Sequence, residues 1–582
     1  MKKMIFPSLL AALLLIGNSA AIAQEARDPE AATGTAQTGQ QIIGNKQMVA
    51  TANPYASKAG FEILQAGGSA IDAAIAVQMV LTMVEPQSSG IGGGSFMLHW
   101  QQDGQQLTTW DGRETAPMAA TSELFIKPNG DPMSWWLALA GGRSVGVPGV
   151  LRMLEQAHKK HGKLPWERLF QPAIRVAENG FIVSDRLNQL LVKRFNPAMG
   201  RYDAAWDYFF PNGQAITPGT VLKNPPLANT FKRIALLGAD AFYRGDIAVD
   251  IVKTVHDAKD NPGVLTESDL ANYQAKERPA VCGYYRSYKV CGMGMPSSGG
   301  ATVLQTLKLL ERFPLDKTQP LDPQAVHLIS QASKLAFADR NRYMADSDFV
   351  SVPVEGLLDD DYINHRSRLI QTTQDMGKAK AGRPAGASMD KMTGKTPSQP
   401  STSHFSIVDA DGNSVSMTTS IEMAFGSTLM VRGFLLNNQL TDFSFLAEKN
   451  GLRVANRVQP GKRPRSSMSP MMVFDKDGQL MMVIGSPGGS RIIGYVLKTI
   501  IGVIDWNLDI QQAINLPHFI NRNGGTDLEA GTVAEQLKPT LERLGHKVKI
   551  RDLNSGLHGI IIKNNRLHGG ADMRREGMVL AE

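Results

Sequence analysis

Thr402, Ser403 and His404 sit where a polar run ending "GKTPSQPS" gives way to "HFSIVDADGNSVSMTTS". A threonine hydroxyl is a weak nucleophile and needs a base to take its proton. The most economical base is the residue's own α-amino group, with an ordinary pKa of roughly 7.7–8. That base exists only if the threonine is the first residue of its chain. Thr402 is internal, so the chemistry requires the Ser401–Thr402 bond to break. The Thr402 hydroxyl can attack the Ser401 carbonyl, move the acyl group to oxygen and leave the ester to water. Threonines at loop ends more often cap a turn or meet solvent, and both readings stand at this point.

A second candidate is Gly488-Gly489 in "GSPGGSR", between a strand-like run and an apolar helix pattern. Two adjacent amides there, with a helix dipole behind them, can hold one developing oxyanion. A plain turn that needs glycine for positive φ uses the same pair. Cys282 and Cys291 flank a Tyr- and Val-rich hairpin pattern, "VCGYYRSYKVCG". In an exported chain they are expected to form a disulfide, the alternative being two thiols on neighbouring strands. Two cysteines do not close a zinc site, and the eleven histidines show no ligand spacing, so neither metal nor cofactor is expected. The glycine-rich "SSGIGGGSFMLHW" leads into a strand and lacks a Lys-Ser/Thr ending. It therefore reads as a close backbone approach and not a phosphate loop.

The elements that must position these residues can be traced along the chain. "ASKAGFEILQAGGSAIDAAIAVQMVLTMVEP" reads as two helices broken at Gly67-Gly68, with Ser69 capping the second and Pro86 beyond its end. The middle third alternates helix and loop patterns, such as "QAVHLISQASKLAFADRNRYM". Residues 375–401 hold no aromatic, Ile, Leu or Val and read as a solvated linker. Strand–turn–strand patterns follow in "HFSIVDADGNSVSMTTS" and "MMVFDKDGQLMMVIGSPGG", then the helix "SRIIGYVLKTIIGVIDW" and a last strand pair in "LHGIIIKNNRLHGG".

At the N-terminus, Lys2 and Lys3, the apolar run Leu9–Ile16 and Ala21-Ile22-Ala23 form a secretory leader spanning residues 1–23. Its apolar run is too short to span a membrane, which needs roughly 20 residues. Residues 24–45 read as a loose arm, with the globular chain starting near Met48. A charged fraction of 20% and 42% hydrophobic residues in 582 are ordinary globular values. The net charge of +7 is modest and its Lys and Arg do not cluster with aromatics, so nucleic acid is not an expected partner. The periplasm is the expected destination.

Seven segments in order resemble the γ-glutamyltranspeptidase family of N-terminal nucleophile hydrolases: "DGRETAP", "PSSGG", Thr402-Ser403-His404-Phe405-Ser406-Ile407, "LLNNQLTDFS", "RPRSSMSP", "GSPGGSR" and "DMRREG". The likeness runs from about Met48 to the C-terminus. It implies an α/β four-layer αββα sandwich, cleavage between Ser401 and Thr402, and Thr402 as nucleophile, with Ser420 beside it. Chains 24–401 and 402–582 would then stay together as a heterodimer in one catalytic body. By the same likeness Gly488 and Gly489 supply the oxyanion amides. Arg113, Ser466 and Ser467 hold a substrate α-carboxylate, and Asp442, with Gln439 and Glu422, receives the α-ammonium group. The implied reaction is acyl transfer from glutathione or another γ-glutamyl compound to water, an amino acid or a dipeptide. Ser420 stands where many members have threonine, and Glu422 where some have asparagine. The loop 443–462 is short and lacks a tyrosine to close over the site, so an open cleft is expected. Two rivals remain: a cephalosporin (glutaryl) acylase of the same fold, and a non-catalytic periplasmic binding protein.

Overall fold

Strand Ser403–Val408 shows how the architecture arises from alternation. Phe405 and Ile407 point into a core shared with helices, together with Val415 and Met417 of the paired strand Ser414–Ser420. The intervening His404 and Ser406 face the other way, toward a second sheet, where Ser406 Oγ donates to His558 O at 3.1 Å. Ser416 Oγ likewise donates to Ile484 O at 3.1 Å. Both faces of these strands are buried, which places them inside a sandwich.

The computed structural model describes residues 39–388, 391–392 and 401–582. Two seven-stranded sheets form its centre, and every neighbouring pair in them is antiparallel. The first runs Met578–Ala581, Met48–Thr51, Ser403–Val408, Ser414–Ser420, Gly94–Gln101, Gln106–Gly112 and Lys276–Arg278. The second runs Ile42–Gly44, Arg566–Ala571, His558–Lys563, Leu480–Gly485, Met471–Phe474, Tyr288–Gly292 and Val281–Tyr285. Each sheet therefore takes strands from both sides of Ser401–Thr402. Helices Pro54–Gln65, Ala70–Val84, Val150–His161 and Trp166–Asn179 share the core of the first sheet. Gly299–Leu310, Pro323–Tyr343 and Ile492–Ile504 share that of the second. The result is the four-layer αββα sandwich of N-terminal nucleophile hydrolases.

Local chemistry sets the boundaries. Ser69 and Asp72 form a reciprocal capping box on Ala70–Val84, which is buried along its whole length. A Cβ on Gly92 would lie 2.1 Å from Leu435 O, and one on Gly93 2.2 Å from Ser420 O, so this glycine run does serve a close backbone approach. Cys282 and Cys291 face each other across the hairpin at the edge of the second sheet and are joined as a disulfide.

Two expectations need correction. The loose arm ends earlier than residue 45: Ile42–Gly44 pairs with Arg566–Ala571, and Asn515 Nδ2 donates to Gly39 O. Backbone ladder bonds hold this segment although its side chains bury little. The solvated linker likewise starts later than Asp375. Asp375 is ion-paired with Lys334, the Gly382 amide donates to Asp339, and Arg366 donates to Lys380 O. Polar anchoring orders residues 375–388 without the apolar pattern that sequence reading relies on. Lys391–Met392 pairs in parallel with Leu452–Val454, and most of the rest of the linker, like the expected leader 1–23, lies outside the described residues.

Candidate active site

The strand register brings Thr402 opposite Ser420, one step beyond the Ser403–Thr419 pair. Thr402 is buried, and its Oγ1 donates to the carbonyl of its own preceding residue, Ser401, at 2.6 Å. Ser420 Oγ donates to that same carbonyl at 2.9 Å and lies 3.3 Å from Thr402 Oγ1. The Glu422 amide donates to Ser420 Oγ at 2.8 Å, which turns the serine's own proton toward Ser401. Glu422 holds this position with a φ of +79°, a backbone strain of the kind that collects at functional sites. Arg575 Nη1 donates to Thr402 O at 3.0 Å and fixes this residue from behind.

His404 does not serve Thr402. It points toward the second sheet, bonded to Thr418 Oγ1 and Ser406 Oγ, and burial holds it well below the usual histidine range, hence neutral. A Cβ on Gly485 would lie 2.3 Å from its ring, so the motif histidine packs the two sheets together.

Gly488 and Gly489 follow strand Leu480–Gly485 and lead into helix Ile492–Ile504. Their φ values are +134° and +57°, and a Cβ on Gly488 would lie 2.6 Å from the Tyr495 ring. Glycine is thus required there for conformation and for space. No described residue accepts a hydrogen bond from either amide.

A cavity of ≈ 580 Å³ opens at Thr402 and is lined by Ser420, Gly489, Arg113, Asp442, Gln439, Glu422, Ser466 and Ser467 among others. It gathers all of the expected site residues except Ser401 and Gly488. Arg113 follows the end of strand Gln106–Gly112 and is fully buried. Its Nη2 pairs with Asp442 Oδ2 at 2.5 Å and its Nε donates to Pro464 O at 3.1 Å. Gln439 Nε2 donates to the same Asp442 oxygen at 2.8 Å. Asn438 Nδ2 donates to Glu422 at 2.8 Å. The bond between Arg113 and Asp442 uses Nη2 and Oδ2, and Arg113 Nη1 lies 3.7 Å from Glu114 Oε2. Beside Arg113, Glu114 is completely buried and burial pushes its carboxyl up to about 8. That favours its protonated form and leaves Asp442, at 2.5 Å, the closer partner of the guanidinium.

Several residues were missed by sequence reading. Arg340 donates to Ser298 Oγ at 2.8 Å and to Ser467 Oγ at 2.5 Å, so it positions a serine expected at the α-carboxylate. It lies inside helix Pro323–Tyr343 with no motif around it, and no local signal could have found it. Burial and the neighbouring Arg465 press its guanidinium well below the usual value. Arg465 and Arg575 lie within quoted motifs that carried no role for them. Loop 443–462 contributes nothing to the cavity lining. Among the described residues, no His, Cys, Asp and Glu cluster could hold a metal, and no helix is long and apolar enough to cross a membrane.

An αββα sandwich with a threonine at the head of an inner strand, opposite a serine and beside a paired glycine turn, defines an N-terminal nucleophile hydrolase. Within that class the chain belongs to the γ-glutamyltranspeptidase family, whose profile matches residues 56–582. It is 37% identical to the glutathione hydrolase proenzyme of Bacillus subtilis strain 168, over 98% of this chain and 97% of that one. The cephalosporin acylase structure from Bacillus halodurans superposes with a TM-score of 0.82 at 28% identity, covering 94% and 98%. The γ-glutamyltranspeptidase of Pseudomonas nitroreducens, solved with L-DON, gives 0.52 at 34% identity, covering 55% of this chain and 93% of that one. The chain is accordingly an enzyme of the γ-glutamyltransferase and glutathione hydrolase type, and a non-catalytic binding protein is excluded.

Proposed function

We propose that this chain is an exported proenzyme that cuts itself between Ser401 and Thr402 and then transfers γ-glutamyl groups from glutathione and related amides. The observation that carries the reading is the Thr402 hydroxyl, 2.6 Å from the Ser401 carbonyl oxygen in a cavity that also holds the Arg113–Asp442 pair. In the first step Thr402 Oγ attacks the Ser401 carbonyl carbon. The oxygen that becomes negative is the one already receiving the Ser420 hydroxyl. As the C–N bond breaks, the acyl group passes to Thr402 Oγ and the hydroxyl proton passes to the departing nitrogen, which becomes the free α-amine; water then releases Ser401 as a carboxylate. The two chains stay together because both sheets interleave strands from 24–401 and 402–582.

In the mature enzyme the Thr402 α-amine takes the hydroxyl proton as Oγ attacks the γ-carbonyl. The Gly488 and Gly489 amides hold the oxyanion, and the departing amine takes the proton back. Water or an acceptor amine then resolves the ester by the same route. Arg113, supported by Ser466 and the Arg340-bonded Ser467, takes the α-carboxylate, and Asp442 takes the α-ammonium. The leader 1–23 carries the proenzyme to the periplasm. The high superposition with a cephalosporin acylase favours a second reading, deacylation of glutaryl amides. Such substrates lack the ammonium that Asp442 would receive, which supports the γ-glutamyl reading.

The test is a denaturing gel with N-terminal sequencing, followed by an anilide assay. Wild-type protein should split, with Thr-Ser-His-Phe at the start of the small chain, and hydrolyse γ-glutamyl-4-nitroanilide. Thr402→Ala should remain one chain. A Thr402→Ala variant that still splits after Ser401 would overturn the mechanism.

A further inference from the structure

The turn 85–89, at the end of helix Ala70–Val84, meets the chain on both sides of the Ser401–Thr402 bond. Gln87 O accepts from Ser401 Oγ at 2.5 Å, and Ser89 Oγ donates to Ser403 Oγ at 3.0 Å. The same turn grips the segment that follows Ser420. Gln87 O also accepts from the Phe425 amide at 3.1 Å, and Ser88 O accepts from the Ile421 amide at 3.2 Å. Transfer of a γ-glutamyl group uses none of the contacts to Ser401.

The turn is rigid because its polar groups close on one another. The Ser88 and Ser89 amides donate back to Glu85 O at 2.8 and 3.2 Å. Gln87 Nε2 and Ser88 Oγ both donate to Glu85 Oε2, at 2.6 and 3.3 Å, and Arg186 Nε lies 3.9 Å from that oxygen. Glu85, Gln87, Ser88, Ser89 and Arg186 are all buried. A satisfied buried network of this kind holds the Gln87 carbonyl in one direction. Ser401 needs that hold. Its own carbonyl is met by the Thr402 and Ser420 hydroxyls, whose protons rotate. Among the described residues, the hydrogen-bond partner of its side chain is Gln87 O. A reacting atom misplaced by about 1 Å can cost about 10²-fold in rate.

We propose that Gln87 is a positioning residue for self-cleavage. Its carbonyl, braced by its own side chain on Glu85, holds the Ser401 hydroxyl and so sets the Ser401 carbonyl carbon before Thr402 Oγ. The contact serves the precursor alone, because cleavage leaves no Ser401–Thr402 peptide to align. Maturation is thereby tied to folding. The bond is presented for attack only when the end of helix Ala70–Val84 has packed against strand Ser403–Val408, with which it shares a core. This inference rests on the self-cleavage reading.

Full-length precursor made by cell-free synthesis tests it, followed on a denaturing gel from the moment translation is stopped. Ser401→Ala removes the hydroxyl and should slow the cut about tenfold, the size of one buried hydrogen bond. Gln87→Met keeps the volume, removes the brace on Glu85 and should slow the cut about threefold. The double variant carries the decisive readout. With no Ser401 hydroxyl to hold, Gln87→Met should cost nothing further, and the double variant should cut at the rate of Ser401→Ala. A Gln87 that merely supports the fold would give the product of the two losses, about thirtyfold, and that result overturns the proposal. So does a Ser401→Ala precursor that cuts at the wild-type rate. Ser401→Gly lacks the same hydroxyl and completes the cycle if Ser401→Ala fails to fold. A wild-type precursor that never cuts before Thr402 overturns the self-cleavage reading itself. One that does cut, with losses that multiply, overturns the positioning role alone.

Discussion

Asp442→Asn tests the residue on which donor choice is proposed to turn. Asn keeps the side-chain size and can still accept from Gln439 Nε2, which bonds Asp442 at 2.8 Å. It removes the charge that pairs with Arg113 Nη2 at 2.5 Å, where the Arg113 side chain is 1% and the Asp442 side chain 13% exposed. Loss of one member of a hydrogen-bonded charge pair at so enclosed a site costs roughly 2–5 kcal/mol. That corresponds to a fall of about 30-fold to several thousandfold in kcat/KM for γ-glutamyl-4-nitroanilide. Glutaryl-4-nitroanilide keeps the carboxylate for Arg113 and has no ammonium. Freed from its internal partner, Arg113 should bind that carboxylate at least as well as before. The ratio of kcat/KM for the two anilides should therefore fall by at least 30-fold. Self-cleavage uses Thr402, Ser401 and Ser420 and should proceed, as a denaturing gel will show. If the variant matures and its γ-glutamyl to glutaryl ratio equals that of wild type, Asp442 does not read the ammonium. If wild type itself prefers the glutaryl anilide, the transferase reading gives way to the acylase one.

Ser420→Ala removes the hydroxyl that donates to the Ser401 carbonyl at 2.9 Å. Maturation of freshly purified precursor should slow by about 10²–10³-fold, the usual cost of one oxyanion donor; splitting at the wild-type rate would show that Ser420 does not stabilise that oxygen. Glu114→Gln addresses pH. Burial raises the Glu114 carboxyl from 4.5 in the unfolded chain to about 8. The folded protein thus holds a proton that the unfolded chain has lost, and stability falls as pH rises from about 4.5 to 8, by at most about 1.4 kcal/mol per unit. Thermal melts across this window should show a flatter slope in Glu114→Gln than in wild type, and identical slopes would remove Glu114 as the source.

Local sequence was enough to single out Thr402 as the candidate nucleophile. The break between a polar run and a strand marks Thr402, because solvated and buried chain have opposite compositions. The two helices around Gly67-Gly68, the strand–turn–strand units and the glycine turn at 488–489 are written in short-range pattern, since capping, alternation and positive φ are local requirements. The same locality explains the errors. Residues 375–388 and Ile42–Gly44 lack apolar pattern, and only distant partners such as Asp339, Lys334 and the strand Arg566–Ala571 order them.

The cavity itself was decided by tertiary structure. Arg113 and Asp442 are 329 residues apart, yet they form one ion pair because the two sheets interleave strands from both ends of the chain. Arg340 reaches Ser467 from the interior of a helix that carries no motif, and Arg522 sits on a loop whose neighbours in sequence say nothing of a cavity. A charge becomes a binding group only when the fold brings it to the cavity and burial strips most of its water. Both conditions depend on residues far away in the chain, so sequence determined which residues could react, and packing determined which charges were left for a substrate.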